Sequence, residues 1–108
     1  MPATFAFSVV RSYNKRMIVW DERKRAANLA KHGLDFEDAS CVYDDPLKLT
    51  FESPRKGEDR KLDLVTVEDV LLAFIYVERG NAVRAISLRR ASRTERRIHE
   101  KVIKTQSH

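Results

Sequence analysis

Arginines stand at the ends of the strands that the sequence predicts. Arg60 opens the second predicted strand, Arg79 follows the third, and Arg89 and Arg90 close the fourth. A guanidinium group offers a planar fork of N–H donors that matches two phosphate oxygens. It stays charged near neutral pH and is a poor general base. These arginines therefore predict a site that binds a phosphate and stabilises a pentavalent transition state.

Proton transfer at such a site needs other side chains. Glu58, Glu78, His32 and Lys31 are the candidates nearest to the arginine motifs. Each acid has a simpler interpretation as the ion-pair partner of an arginine. His32 has one too, because a histidine at a helix C-terminus is stabilised by the helix dipole. His99 falls on the polar face of a predicted helix, which favours a surface residue.

Signatures of the other common catalytic sites are missing from the sequence. The three histidines are scattered and Cys41 is the only cysteine, so no metal-binding spacing is formed. A single cysteine also excludes an internal disulfide and fits a reducing compartment. The three glycines are spread along the chain and form no phosphate-binding loop. No serine stands in the elbow of a hydrolase triad. We therefore expect no metal and no cofactor.

Charge is divided unevenly along the 108 residues, whose net charge is +5. Residues 84–104 contain eight lysines and arginines against two glutamates, whereas residues 35–69 contain eleven acids against five bases. The simplest interpretation is two solvated charged surfaces. The clustering of cations on one predicted strand and the following helix favours instead a basic face for a polyanion.

Hydrophobic periodicity predicts two short helices at the start of the domain. Asp21 can cap the first helix, and Gly33 can end it in the left-handed conformation. Asp35 begins the second helix, with Asp38 as a weaker capping-box residue, and Pro46 stops it. A tight turn at the glycine joins the two helices into an αα-hairpin.

From Leu47 the period changes to two, which predicts four strands at about residues 47–52, 61–64, 70–77 and 83–88. In the second of these, Leu62 and Leu64 alternate with Lys61 and Asp63. Ser92 and Glu95 then form a capping box for a last helix. Its apolar face consists of Ile98, Val102 and Ile103. The predicted order is ααββββα, and the short connections favour an antiparallel four-stranded sheet in an α+β fold.

The predicted meander does not bring all the arginines together. Arg60 and Arg79 meet at one edge of the sheet, because the start of the second strand lies beside the end of the third. Arg89 and Arg90 belong toward the other end of the fourth strand. A single site that uses all four therefore requires strongly offset or twisted strands.

Residues 1–16 contain three cations, no acid and no clear period beyond Val10. We interpret them as an N-terminal extension outside a domain at residues 17–104, unless translation starts at Met17. No apolar run approaches the ~18 residues that span a membrane, and the N-terminal segment lacks the charge that precedes a signal peptide. The sequence thus favours a cytoplasmic protein.

A set of short motifs, in order and with fitting spacing, covers about residues 17–103 and resembles the BrnT family of toxins. The motifs are Trp20-Asp21, Asn28, Lys31-His32-Gly33, Phe36-Glu37, Asp44-Asp45-Pro46, Gly57-Glu58-Asp59-Arg60, Glu78-Arg79, Ile86-Ser87-Leu88-Arg89-Arg90-Ala91 and Glu95-Arg96. Each piece is weak alone, and the ordered set is specific.

The resemblance implies a type II toxin with a RelE-like fold. Such a toxin is a small ribonuclease that cleaves RNA without a metal, by attack of the 2′-hydroxyl on the adjacent phosphate, and that inhibits translation. The implied partner is a BrnA-type ribbon-helix-helix antitoxin in a 2:2 complex. The toxin is expected to contact DNA only through this antitoxin. The alternative is a degenerate toxin that only binds its antitoxin and helps to regulate the operon.

Site residues follow from the same resemblance, position by position. Arg60, Arg79 and Arg89 match the best active-site candidates, with His32 and Glu58 as further catalytic candidates. RNA contacts are expected at Lys31, Arg90, Arg93, Arg96 and Arg97, and the last three, on the final helix, are alternatively contacts to the antitoxin. One departure is His99, which stands where the family often has a tyrosine. If that ring takes part in catalysis or stacks on a base, the activity of this chain is altered.

Overall fold

A computed structural model describes residues 16–106. Its elements, in chain order, are β1 (Met17–Val19), α1 (Glu22–His32), a 3₁₀ turn (Phe36–Asp38), α2 (Ser40–Tyr43), β2 (Leu49–Glu52), β3 (Lys61–Val67), β4 (Val70–Arg79), β5 (Ala82–Arg90) and α3 (Arg93–Gln106). The α+β class is as predicted. The order ααββββα is wrong at its start, because a strand precedes the first helix. The extension predicted at residues 1–16 lies outside the described residues except for Arg16.

The sheet has five strands in the order β1-β5-β4-β3-β2, not the four that were predicted. Strands β2 to β5 form the expected antiparallel meander. Strand β1 extends the sheet at the free edge of β5 through a parallel ladder, in which Met17 faces Ala82 and Val19 faces Arg84. The sequence indicates a short extended run at Ile18, Val19 and Trp20, but so short a run does not show that it joins the sheet, and its partner strand lies near the other end of the chain. The sheet is therefore mixed.

Helix α1 has the predicted ends and also protects the edge of β5. Asp21 Oδ1 accepts a hydrogen bond from the amide of Arg23 at 2.8 Å, and Gly33 ends the helix at φ 73°. The side chain of buried Asn28 donates to the carbonyl of Leu88 at 2.8 Å and accepts from its amide at 3.1 Å. Asn28 thus takes the place of a neighbouring strand beyond the end of β1, and it pairs backbone groups that would otherwise be buried unsatisfied.

The second predicted helix is not continuous. A 3₁₀ turn and the four-residue α2 replace it. Asp35 caps the turn as expected, and its carboxylate also accepts a hydrogen bond from Arg25 Nε at 2.8 Å. Phe36, Ala39 and Val42 are all fully buried. The apolar spacing therefore identified the buried face correctly, while the packing of these three side chains on the sheet, rather than one helical geometry, sets the path of the backbone.

The main core lies between these helical segments and one face of the sheet. Its fully buried members are Phe36, Ala39, Val42, Val65, Phe74, Tyr76, Val83, Ala85 and Leu88. The opposite sheet face holds a small buried cluster of Leu64, Ala73 and Ala91 and, outside this cluster, buried Val77. We call this opposite side the open face, because the 3₁₀ turn and α2 pack on the main core and α1 contacts the edge of β5 through Asn28.

Asp63 is fully buried on the core side of β3. Its carboxylate accepts hydrogen bonds from Lys48 Nζ at 2.7 Å, the Thr50 hydroxyl at 2.7 Å and the Tyr76 hydroxyl at 2.9 Å. Alternation with Leu62 and Leu64 would place this acid in solvent. The three donors come from two other strands and the segment before one of them, so they satisfy the buried charge in a way that periodicity cannot reveal.

Helix α3 begins with the predicted capping box and then leaves the core. The amide of Ser92 donates to Glu95 Oε1 at 2.8 Å, and the amide of Glu95 donates to the Ser92 hydroxyl at 3.1 Å. None of the residues of α3 is buried. The predicted apolar face exists, but Ile98 and Ile103 remain 43% and 42% exposed. The helix also continues to Gln106, two residues past the predicted domain boundary.

Candidate active site

Three arginines converge on one carboxylate near the turn between β4 and β5. Glu58 belongs to the loop between β2 and β3. Its Oε1 accepts a hydrogen bond from Arg60 Nε at 2.9 Å. Its Oε2 accepts from Arg84 Nη2 at 2.5 Å and from Arg79 Nη2 at 3.4 Å. We call these four residues the arginine cluster. The structure therefore confirms that Arg60 and Arg79 meet, and it adds Arg84.

A tight backbone turn aims Glu58 at the strands. The amide and carbonyl of Arg55 exchange hydrogen bonds with those of Glu58 at 3.0 and 2.9 Å. The two residues between them, Lys56 and Gly57, have φ of 52° and 74°. Such left-handed pairs suit two-residue hairpins, and the second position favours glycine. A residue with a Cβ in place of Gly57 would strain the turn that holds the carboxylate.

The arginine cluster carries an excess of positive charge. The hydrogen bond from Arg60 lowers the pKa of Glu58 most strongly, followed by the charges of Arg84 and Arg79, so the carboxylate is ionised at neutral pH. One negative charge thus faces three positive charges. The side chain of Arg79 is 66% exposed, whereas those of Arg60 and Arg84 are 24% and 31% exposed. Arg79 is therefore the donor best placed to reach an incoming phosphate.

A β-bulge in β5 aligns its arginines. Tyr76 pairs with Ala85 but Ile75 pairs with Ser87, which leaves Ile86 as the extra residue. In a regular strand, residues 84 and 89 point to opposite faces because their separation is odd. With the bulge, Leu88 joins Val83 and Ala85 in the main core. Arg84 and Arg89 therefore both lie on the open face.

Arg89 lies apart from the arginine cluster. It is five residues from Arg84, or about 16 Å along the strand. Its guanidinium forms a bidentate ion pair with Glu95, at 2.7 Å from Nη1 to Oε1 and 2.9 Å from Nη2 to Oε2. His32 and Lys31 stand beside it at the end of α1, close enough for Arg89 to influence the histidine. The predicted catalytic residues thus form two groups on the sheet.

Burial lowers the pKa of His32 below its ordinary 6.5, and the charges of Lys31 and Arg89 lower it further. The imidazole is therefore neutral at neutral pH. Because the pKa of His32 is lower in the folded protein than in the unfolded chain, the unfolded chain binds a proton more readily. The folded protein is therefore expected to lose stability as the pH falls below 6.5.

Replacing Lys31 with glutamine is expected to raise the pKa of His32 toward its ordinary value, since one neighbouring charge is removed. Titration of the imidazole signals by NMR measures this shift. Lys24→Gln on the same helix removes an equal charge elsewhere and serves as the control. A pKa of His32 that is equal in both variants would contradict the assignment.

The other predicted residues occupy three places. Glu78 lies on the core side of β4, where it accepts hydrogen bonds from the Tyr43 hydroxyl at 2.9 Å and Lys61 Nζ at 3.1 Å. Glu78 also forms an ion pair with Arg16, which confirms its simpler interpretation as the ion-pair partner of an arginine. Arg90 lines a groove beside Leu34 and Leu72. The remaining candidates for RNA contact are exposed. Lys31 lies on α1, and Arg93, Arg96 and Arg97 lie on α3.

Arg84 is the residue of the arginine cluster that the sequence motifs did not identify. Arg79 and Ala82 are paired across the turn at Gly80, so Arg84, two residues further on, returns to the face of Arg79. Counting outward from the predicted turn would have identified it.

Two further properties concern only residues 16–106. Their histidine, cysteine and acidic side chains form no group of three that could bind a metal ion. None of the helices in this part of the chain is long and apolar enough to cross a membrane.

The fold and the cluster define a class of small α+β proteins with an arginine-lined sheet face. A family model described as ribonuclease toxin, BrnT, of type II toxin–antitoxin system matches residues 20–95. The chain therefore belongs to the BrnT family, and the resemblance found in the sequence is confirmed. At this level it is a ribonuclease toxin whose partner is a protein antitoxin. A search of curated proteins found no match.

Proposed function

We propose that the chain cleaves RNA at the arginine cluster without a metal and thereby inhibits translation. The observation that carries this proposal is the convergence of Arg60, Arg79 and Arg84 on Glu58, with Arg79 largely exposed. Three guanidinium groups supply positive charge and directed donors at one point, as a pentavalent phosphate requires. Glu58 is the one negative group among them.

The phosphodiester first takes over hydrogen bonds that the arginines make to Glu58. Loss of those bonds raises the pKa of the carboxylate back toward its ordinary value, because they are the cause of its depression. Glu58 then accepts the proton of the 2′-hydroxyl, and the 2′-oxygen attacks phosphorus. The bond to the 5′-oxygen breaks, this oxygen takes a proton from water, and the hydroxide that remains takes the proton from Glu58 and restores the base. The products are a 2′,3′-cyclic phosphate and a 5′-hydroxyl.

Geometry favours Glu58 over His32 as the base at this phosphate. His32 is grouped with Arg89, about 16 Å along β5 from Arg84. Arg89 and Lys31 then contact the RNA at another phosphate, and the arginines of α3 continue the basic surface beyond it. The bulge that places Arg84 and Arg89 on one face makes a continuous path for a single strand.

An assay on purified chain and a labelled single-stranded RNA, with a chelator present, tests the proposal. Wild type is expected to produce fragments that end in 2′,3′-cyclic phosphate. Glu58→Gln, which keeps the shape of the side chain but cannot accept a proton, is expected to reduce the rate about 100-fold. Glu37→Gln, an exposed acid on the 3₁₀ turn, is the control. Equal rates for Glu58→Gln and wild type would remove Glu58 as the base.

A second candidate function is a degenerate toxin that binds its antitoxin without cutting RNA. It is favoured by the full pairing of Arg89 with Glu95 and by the distance of His32 from the cluster, since these leave fewer groups for catalysis. Absence of cleavage by wild type, together with tight binding of the antitoxin, would establish it.

The finer partner assignment is also part of the proposal. The antitoxin is a BrnA-type ribbon-helix-helix protein, and two toxins join an antitoxin dimer in the cytoplasm. DNA contacts then belong to the antitoxin. Family membership supports a protein antitoxin.

A further inference from the structure

Helix α3 has an apolar band that the rest of the described chain leaves uncovered. The band consists of Ile98, Val102 and Ile103, and Val102 lies between the two isoleucines around the helix at about 100° per residue. Ile98 and Ile103 are 43% and 42% exposed. Beside Ile103, a groove of about 430 Å³ separates the helix from Leu71 at the start of β4, and His99 lines it.

Such a helix is only weakly stabilised by its own chain. Its 14 residues include none that is buried, and an isolated helix of this length is marginal in water. It is held at its N-terminus by the capping box and by the ion pair between Arg89 and Glu95. A partner that covers the apolar band would therefore add the packing that the sheet does not provide.

Cations flank the band. Within residues 16–106, the side chains of Arg93, Arg96, Arg97 and Lys101 form no ion pair. Both acids of the helix are already paired, Glu95 with Arg89 and Glu100 with Lys104. The face that α3 offers is thus apolar in the middle and positive at its sides, which complements an amphipathic segment with acidic flanks.

We propose that α3 and the groove at Leu71 form the docking surface for an acidic, amphipathic segment of the antitoxin. The identity of the partner as an antitoxin rests on the proposed function. A second copy of this chain fits less well, because a symmetric contact would bring the same cations together. RNA also fits less well, since Ile98, Val102 and Ile103 have no ring on which bases could stack, and His99 is the one ring among the residues that line the groove.

The first test replaces the two exposed isoleucines. The probe is the ribbon-helix-helix antitoxin of the proposed function, titrated into the full chain by calorimetry. Ile98→Gln with Ile103→Gln is expected to raise Kd about 30-fold, as for two exposed apolar anchors. Leu29→Gln replaces an apolar side chain of α1 that is 45% exposed, and as the matched control it should leave Kd unchanged. Circular dichroism verifies that α3 is retained, since glutamine favours helices.

The second test concerns charge. Lys101→Glu is expected to raise Kd about fivefold at low salt and less at high salt. Lys24→Glu makes the same change of charge on α1 and should have no effect.

Three results would overturn the inference. The first is wild-type affinity in the double isoleucine variant, or no binding by the wild-type chain. The second is a free chain that light scattering shows to be a dimer and that this variant converts to a monomer. The third is a double isoleucine variant that cuts RNA more slowly than wild type but binds the probe with wild-type affinity. Failure of the proposed ribonuclease activity would instead appear as no cleavage by wild type, with the binding results unchanged.

Discussion

Replacing Arg79 with alanine is expected to lower kcat for RNA cleavage about 100-fold while leaving the protein folded. The reason is that a donor directed at the developing charge of the transition state contributes mainly to the rate. Arg79 is the most exposed guanidinium of the cluster, and its ion pair with Glu58 is the longest, at 3.4 Å. Its loss therefore affects an incoming phosphate more than the fold.

Steady-state kinetics on a short RNA measures this effect. A change in kcat indicates an interaction made in the transition state, whereas a change confined to KM indicates equal binding of substrate and transition state. Arg23→Ala, an exposed arginine of α1, is the control for the lost charge. If Arg79→Ala with Arg84→Ala kept full activity, the arginine cluster would no longer be a candidate active site.

The second large effect is expected on stability. Asp63→Ala should reduce the free energy of unfolding by about 3–5 kcal/mol, because it leaves the ammonium of Lys48 without its partner in a largely buried site. The same change removes the acceptor of the Thr50 and Tyr76 hydroxyls. Burial and the neighbouring acid also raise the pKa of Tyr76, so this hydroxyl remains a donor.

Urea denaturation measures the loss. Asp59→Ala, an exposed acid in the adjacent loop, is the matched control and is expected to change stability by less than about 0.5 kcal/mol. Asp63→Asn keeps an acceptor for the hydroxyl groups but not the charge for Lys48, so it should fall between the two. A loss below about 1 kcal/mol for Asp63→Ala would show that the network tolerates an empty acceptor position.

These two predictions concern opposite faces of the same strands. The core side of β3 and β4 buries Asp63 and Tyr76, and half-buried Glu78 on the same side links the sheet to α2 through Tyr43. The open face keeps the arginine cluster accessible. Mutations in the first network should therefore act on stability, and those in the second on cleavage, with little coupling between distant positions.

The β-bulge at Ile86 connects strand geometry to function. It places Arg84 and Arg89 on one face although five residues separate them. It also explains why simple alternation along residues 83–90 gives no consistent assignment of faces. Bulges of this kind are frequent beside active sites because they redirect side chains.

Local features were readable from the sequence because their hydrogen bonds close within a few residues. Asp21 and Gly33 bound α1, Ser92 and Glu95 begin α3, and the β4–β5 turn falls at Gly80, all as predicted. The α+β class followed from hydrophobic periodicity, and the meeting of Arg60 with Arg79 followed from the predicted antiparallel meander. The family followed from the ordered motifs.

Only the tertiary structure decided the contacts between distant segments. The parallel pairing of β1, the position of Asn28 at the edge of β5, the burial of Asp63 and the contact of Glu58 with Arg84 all join residues far apart in the chain. Periodicity reports which side of an element is apolar, but not which element covers it. The physical reason is that such pairings depend on sheet order and register, which a short window of residues does not contain.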